Sequence, residues 1–158
     1  AVMDKGQIIQ TGSPAQIYEF PTNRFVAEFI GAINMIEGIV TSHSDGLVTL
    51  TSHTAGLDLI VAHAGPVTIG SPAAIAVRPE KITISRQRQT GVNVIPGKVS
   101  DLGYFGKDSL YRVKLASGSL IRVNSVNARR TGETGHTAGW GDEVSVSFPP
   151  DAALLFEM

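Results

Sequence analysis

The chain has 158 residues, 42% of them hydrophobic and 17% charged, which suits one ordinary domain or two small barrels with a real core. Thirteen Lys and Arg against fourteen Asp and Glu leave a net charge of -1, so no overall basic field exists to hold a nucleic-acid backbone or an anionic membrane. The lack of cysteine excludes a disulfide framework, a thiolate metal site and a cysteine nucleophile. Apolar stretches are only a few residues long, far below the roughly 20 that cross a bilayer, and no basic, apolar leader opens the sequence. The expectation is a chain that neither spans a membrane nor is a secretory precursor. Because Ala1, Val2 and Met3 run straight into a strand-like stretch with no initiator methionine, the chain is also expected to be a piece of a longer one.

After that opening strand-like run, Ser13-Pro14-Ala15-Gln16 combines an N-cap Ser, a Pro at the first helical position and a capping-box Gln, and predicts a short helix through Ile17 and Tyr18. Pro21 stops it. Asn23 can cap a second helix, in which Phe25 with Phe29 and Val26 with Ile30 form one apolar stripe and Gly31 marks the end.

From Ile33 onward, seventeen Gly and eight Pro in the chain cut the sequence into short runs that alternate apolar and polar residues, the period of half-buried strands. Strands are predicted at 36–41, 47–51, 57–62, 73–77, 82–85, 91–101, 109–115, 119–124, 143–148 and 153–156. Asp45-Gly46 and Ser117-Gly118 are tight-turn signals between them. Many short strands at regular spacing predict a mainly β fold of closed or nearly closed barrels. Arg78-Pro79-Glu80 falls where one barrel half gives way to the next. Residues 127–142, with Gly132, Gly135, Gly139 and Gly141, read as a loop or hairpin tip.

Residues 1–80 hold three bases and seven acids, whereas 81–158 hold ten bases and seven acids, so the halves carry about -4 and +3. A solvated surface explains this, and so does a contact between halves or copies. No aromatic residue lies between Phe29 and Tyr104, which leaves Tyr104, Phe105 and Tyr111 as the rings available for a base-stacking platform; packing accounts for them better, and nucleic acid is not an expected partner. His43, His53 and His63 recur every ten residues, but no carboxylate pair completes a ligand set and no metal is expected. No G-x-S-x-G elbow and no G-x-x-x-x-G-K-[ST] phosphate loop is present. Gly103-Tyr104-Phe105-Gly106 predicts a bend or bulge, with contact to a partner as its alternative use.

The run Val2-Met3-Asp4-Lys5-Gly6-Gln7-Ile8-Ile9-Gln10-Thr11-Gly12-Ser13-Pro14, followed by Ile17-Tyr18, Pro21, Asn23, Phe25-Val26-Ala27, Phe29-Ile30-Gly31 and Asn34, closely resembles the exit from the nucleotide-binding domain of ABC-importer ATP-binding subunits. Ala76-Val77-Arg78-Pro79-Glu80-Lys81-Ile82, Gly97-Lys98-Val99 through Tyr104, Gly106, Tyr111-Arg112-Val113, Gly118 and Gly141-Asp142-Glu143-Val144 are similar to the later signatures of that family, in its C-terminal TOBE region. Among the family, the spermidine/putrescine-type importer ATPases are the most similar, with sugar and ferric-ion importer ATPases as relatives.

The resemblance implies OB-like barrels of the TOBE type over residues 32–158, preceded by a hairpin and two short helices over 1–31 that close the nucleotide-binding domain. It places the Walker and signature motifs, and with them ATP and Mg, before Ala1, so this stretch carries no catalytic or cofactor-binding residue and is not expected to be an enzyme. Met3, Ile8, Phe25 and Phe29 would pack on that preceding domain. The implied role is regulation and dimerisation. The partners are a second copy and, through the parent subunit, the permease, at the cytoplasmic face of the membrane. A small-ligand or oxyanion-sensing module of a sugar, iron or anion importer is the alternative. Candidate interface or ligand contacts, assigned by motif position, are Asn34, Arg78, Pro79, Glu80, Tyr104, Phe105 and Gly106. An internal pairing of Arg78 with Glu80 and a turn set by Pro79 are the structural alternatives.

Overall fold

The computed structural model describes residues 1–126 and 138–158. Two compact units result, Ala1–Ile33 and Asn34–Met158. The predicted glycine-rich loop therefore lies largely outside the described residues.

In the first unit, strands β1 (Val2–Asp4) and β2 (Gln7–Gln10) form a hairpin. Helices α1 (Pro14–Glu19) and α2 (Arg24–Ile30) follow. Both predicted caps form: the Gln16 amide donates to Ser13 Oγ at 3.2 Å while the Ser13 amide donates to Gln16 Oε1 at 2.9 Å, and the Val26 amide donates to Asn23 Oδ1 at 2.9 Å. The apolar residues of α2 divide between two faces. Val26 packs with Val2, Ile17 and Ile9, while Phe25 and Phe29 stack on each other at 5.7 Å and stay exposed. A seven-residue helix offers one narrow inward face, and the hairpin fills it with Val26 and Ala27.

Among the described residues the second unit holds ten strands: β3 (Asn34–Ser44), β4 (Leu47–Ser52), β5 (Leu57–Ala62), β6 (Pro72–Val77), β7 (Thr83–Ser85), β8 (Val94–Tyr104), β9 (Asp108–Lys114), β10 (Leu120–Val126), β11 (Glu143–Ser147) and β12 (Ala153–Glu157). The alternation read from the sequence is the alternation observed, for instance buried Val48, Leu50 and Ser52 on β4. Asp45 and Gly46 both take positive φ, 53° and 73°, as the two-residue turn joining β3 to β4 requires.

The strands make two antiparallel five-stranded sheets, in the orders β12-β6-β3-β4-β5 and β10-β9-β8-β11-β7. Each sheet curls until its edges approach, β12 to β5 and β10 to β7, with Cα atoms within 8 Å. Among the described residues no ladder joins those edges, so the sheets are rolled but open rather than closed barrels.

The two rolled sheets are repeats of one plan. Asn34-Met35-Ile36-Glu37-Gly38-Ile39-Val40 and Asn93-Val94-Ile95-Pro96-Gly97-Lys98-Val99 share the pattern N-x-I-x-G-x-V. The paired Ile and Val residues are buried in both. The ladder register shifts at the same place in each, between Val40 and Ser42 and between Val99 and Asp101. Each repeat sends its fifth strand to the other sheet: β7, after β6, joins the second sheet, and β12, after β11, joins the first. A 3-10 turn precedes each crossing strand, at Pro79–Lys81 and Pro150–Ala152. One continuous apolar core runs through both sheets, from Ile36 and Val61 to Val113 and Val146.

Two buried asparagines tie the open edges. Asn34 Nδ2 donates to the Arg122 carbonyl at 2.8 Å and its Oδ1 accepts from the Arg122 amide at 2.8 Å, so the side chain reads one residue of edge strand β10 as a neighbouring strand would. Asn93 does the same to Ile60 of edge strand β5, at 2.7 Å in both directions. Each Nδ2 also donates to a carbonyl just ahead of a 3-10 turn, Val77 for Asn34 at 3.3 Å and Phe148 for Asn93 at 3.2 Å.

Replacing either asparagine by Ala strands a buried N–H and C=O, and urea unfolding is expected to show a loss of about 2–4 kcal/mol. Asn93→Ala is expected to cost more, because Asn93 has φ 54°, where Asn is favoured over Ala. Asp at either site is expected not to rescue, since a carboxylate cannot donate to the carbonyls. Gly38→Ala is expected to cost about 1–3 kcal/mol in the same assay, because a Cβ there overlaps the Thr51 carbonyl and the Leu50 side chain.

Candidate functional site

The predicted contact residues fall into two groups. Asn34, at the start of β3, pairs in register with Val77, the residue before Arg78-Pro79-Glu80, and the 3-10 turn that these lead into packs on β10. Four of the seven thus meet at one seam, where the first repeat crosses to the second sheet.

Within that seam, Asn34 and Arg78 are buried, at 5% and 4% exposure. Both amide hydrogens of Asn34 are committed to backbone carbonyls. Arg78 is partnered and its carbonyl accepts from the Lys81 amide at 3.0 Å, closing the 3-10 turn, in which Pro79 is buried and Glu80 exposed. Proline at the first position of the turn fixes its φ and leaves no orphan N–H there. Beside Asn34 lies a cleft of about 350 Å³, bounded by Glu37, Thr54 and Ser119 among others. What the seam offers a partner is therefore Glu80 and the cleft rim, while Asn34, Arg78 and Pro79 hold the backbone in place.

Tyr104, Phe105 and Gly106 form the second group, at the β8–β9 connection. Gly106 takes φ 79° and the Phe105 amide donates to the Asp108 carbonyl at 2.9 Å, which makes a tight reversal rather than a mid-strand bulge. The Phe105 ring lies over Gly103, where an added Cβ would come within 2.9 Å of it. Tyr104 and Phe105 are 54% and 63% exposed. Tyr111, by contrast, is a core residue.

The histidines do not converge on a ligand set: His43 pairs with Val48 in the β3–β4 ladder, His53 follows β4 and His63 follows β5. Among the described residues no group of three His, Cys, Asp or Glu side chains could hold a metal, and no helix is long and apolar enough to cross a membrane. His136 lies outside the described residues.

Asn93 is the structural counterpart of Asn34 that motif reading missed. The N-x-I-x-G-x-V repeat was the signal for it, and that signal spans two segments nearly sixty positions apart rather than one contiguous motif.

A protein-family model described as the TOBE domain matches residues 75–156. The putrescine transport ATP-binding protein PotG of Escherichia coli is 35% identical over 98% of this chain and 41% of its own length. The spermidine/putrescine import ATP-binding protein PotA 1 of Pseudomonas aeruginosa is 38% identical over 92% of this chain and 40% of its own. The chain spans about two fifths of the length of these curated relatives. Among solved structures, the cytoplasmic molybdate-binding protein ModG, in a molybdate-bound form, has a TM-score of 0.65 over 87% of this chain and 98% of that one, at 14% identity, a likeness of fold alone. With the rolled sheets and the sequence match in agreement, the chain belongs to the TOBE-domain family.

Proposed function

We propose that this chain is the regulatory and dimerisation region of the ATP-binding subunit of a bacterial ABC importer for polyamines such as spermidine and putrescine. The observation that carries the reading is the identity with polyamine-importer ATP-binding proteins over nearly the whole chain. In the full subunit, the ATPase domain that binds ATP and Mg lies outside this stretch, and the subunit works at the cytoplasmic face of the membrane against the permease. Paired tails keep two ATPase domains at high effective concentration, so that closure on ATP does not assemble the dimer anew in each cycle. A solute or regulator that favours one geometry of the pair would bias closure by its differential affinity for the two states.

The fold supports an assembly role in physical terms. Strand exchange and the shared core make the two rolled sheets one body. A load applied at one sheet is passed to the other through packed side chains and backbone hydrogen bonds rather than through a flexible linker.

Light-scattering mass across a concentration series is the test, on this chain and on one beginning at Asn34, which keeps the second unit whole. Dimers from both are expected. Monomers from both overturn dimerisation by this region, and association of the longer chain alone moves the contact to residues 1–33. With Tyr104→Ser and Phe105→Ser together, stability is expected to hold within about 0.5 kcal/mol because both rings are exposed, while the dimer dissociates at tenfold higher concentration or more. An unchanged dimer removes the β8–β9 tip from the contact surface.

A further inference from the structure

On the second sheet a cleft of about 670 Å³ opens beside the residues that follow β7 and the ends of β8, β9 and β11. Its lining gathers Arg86, Arg88, Lys98 and Lys114 against a single acid, Glu143. On a chain of net charge -1, four cations around one cleft is a marked local excess.

The sheet neutralises that excess only in part. Lys98 and Lys114 stand directly opposite each other in the β8–β9 ladder, a placement in which like charges repel. Glu143 faces Lys98 from β11 on the other side. Arg86 is held by Asp142 at 3.2 Å, and among the described residues Arg88, Lys98 and Lys114 make no ion pair. Two opposed lysines and two arginines against Glu143 and Asp142 leave a net positive charge that raises the potential at the cleft mouth and favours an anion from outside.

The rest of the lining narrows the class of that anion. Pro96 and Leu115 give the cleft apolar wall, which a bare inorganic ion does not use. The volume is in the range that small organic ligands fill and far above that of one phosphate. A second copy docked with its two-fold axis through the cleft would set these cations against themselves. We infer that this cleft binds a phosphate-bearing small organic molecule, with the phosphate between the lysines and the arginines and the ring or alkyl body against Pro96 and Leu115. The site is independent of the importer assignment and of the Asn34 seam.

The test is calorimetric titration of this chain with 1-naphthyl phosphate, 1-naphthol, inorganic phosphate and hexaglutamate at fixed salt. Saturable binding of 1-naphthyl phosphate is expected, at least tenfold tighter than phosphate, with no binding of 1-naphthol and with amide shifts at Gly97 and Ser145 in NMR spectra. Lys114→Glu is expected to weaken that binding tenfold or more while the thermal midpoint holds or rises, because the substitution turns the opposed lysine pair into an attractive one. Lys107→Glu changes net charge equally but sits outside the cleft, and is expected to leave binding within twofold. Equal losses in the two variants, affinity for phosphate equal to that for 1-naphthyl phosphate, no saturable binding, or a preference for hexaglutamate, which would mark an acidic peptide as the occupant, each overturn the inference.

Discussion

The open edge of a sheet is a row of backbone donors and acceptors in search of a partner, and each rolled sheet here has two such edges that never pair with one another. What makes the arrangement stable is a side-chain amide standing in for a strand. Asn carries a donor and an acceptor in one plane, at the spacing needed to satisfy the N–H and C=O of a single edge residue, and Asn34 and Asn93 each do so for the sheet opposite their own. An ionised Asp lacks the donor, and Ser carries both functions on one oxygen rather than on two atoms at that spacing. The second hydrogen of each amide holds the backbone leading into a 3-10 turn, so one side chain fixes both the seam and the strand that crosses it.

Strand exchange then follows as a consequence of where that crossing strand can go. After β6 the chain turns through Pro79–Lys81, packs on β10 and continues as β7 beside β11; after β11 it turns through Pro150–Ala152, packs on β5 and continues as β12 beside β6. Each sheet is thus completed by the other repeat, in the manner of two subunits that swap an element but here within one chain. Separation of the sheets would strip an outer strand from both, uncover a shared core and unpair two buried amides. The second unit is therefore expected to unfold as one cooperative body.

Much of this was legible in the residues. The capping box at Ser13, the cap at Asn23, the Asp45-Gly46 reversal and the alternating strands are local signals, and each depends on groups within a few positions of one another. Pairing order was not legible, because the alternation in Ala153–Glu157 says that the strand is half buried but carries no information on which sheet receives it. In the sequence the role of Asn34 stays open for a related reason. A polar residue at a motif position reads equally as a ligand contact or as a satisfied core amide, and only burial with three backbone partners separates the two. On α2 the inward face accommodates Val26 and Ala27, and the phenylalanines expected to meet a preceding domain lie outside.

The same clamps constrain how this region can pair with another molecule. Exposed edge strands invite a partner to add a strand, but here β5 and β10 have backbone groups bound by asparagine and are further covered by the 3-10 turns. β7, at three residues, is too short to template a ladder, as short protected edges commonly are. Association at these three edges is thereby disfavoured, whereas edge strand β12 carries no asparagine clamp; at side-chain faces affinity depends on a few well-packed anchors and on the loss of their water. Exposed apolar side chains near the strand ends of the second sheet, Tyr104, Phe105, Leu110 and Leu120, supply such anchors, and they come from β8, β9, β10 and the β8–β9 reversal, which the clamps keep in fixed register. A contact built this way can be re-formed in many geometries of the attached domains without melting any ladder. That property is the one the proposed dimerisation would use.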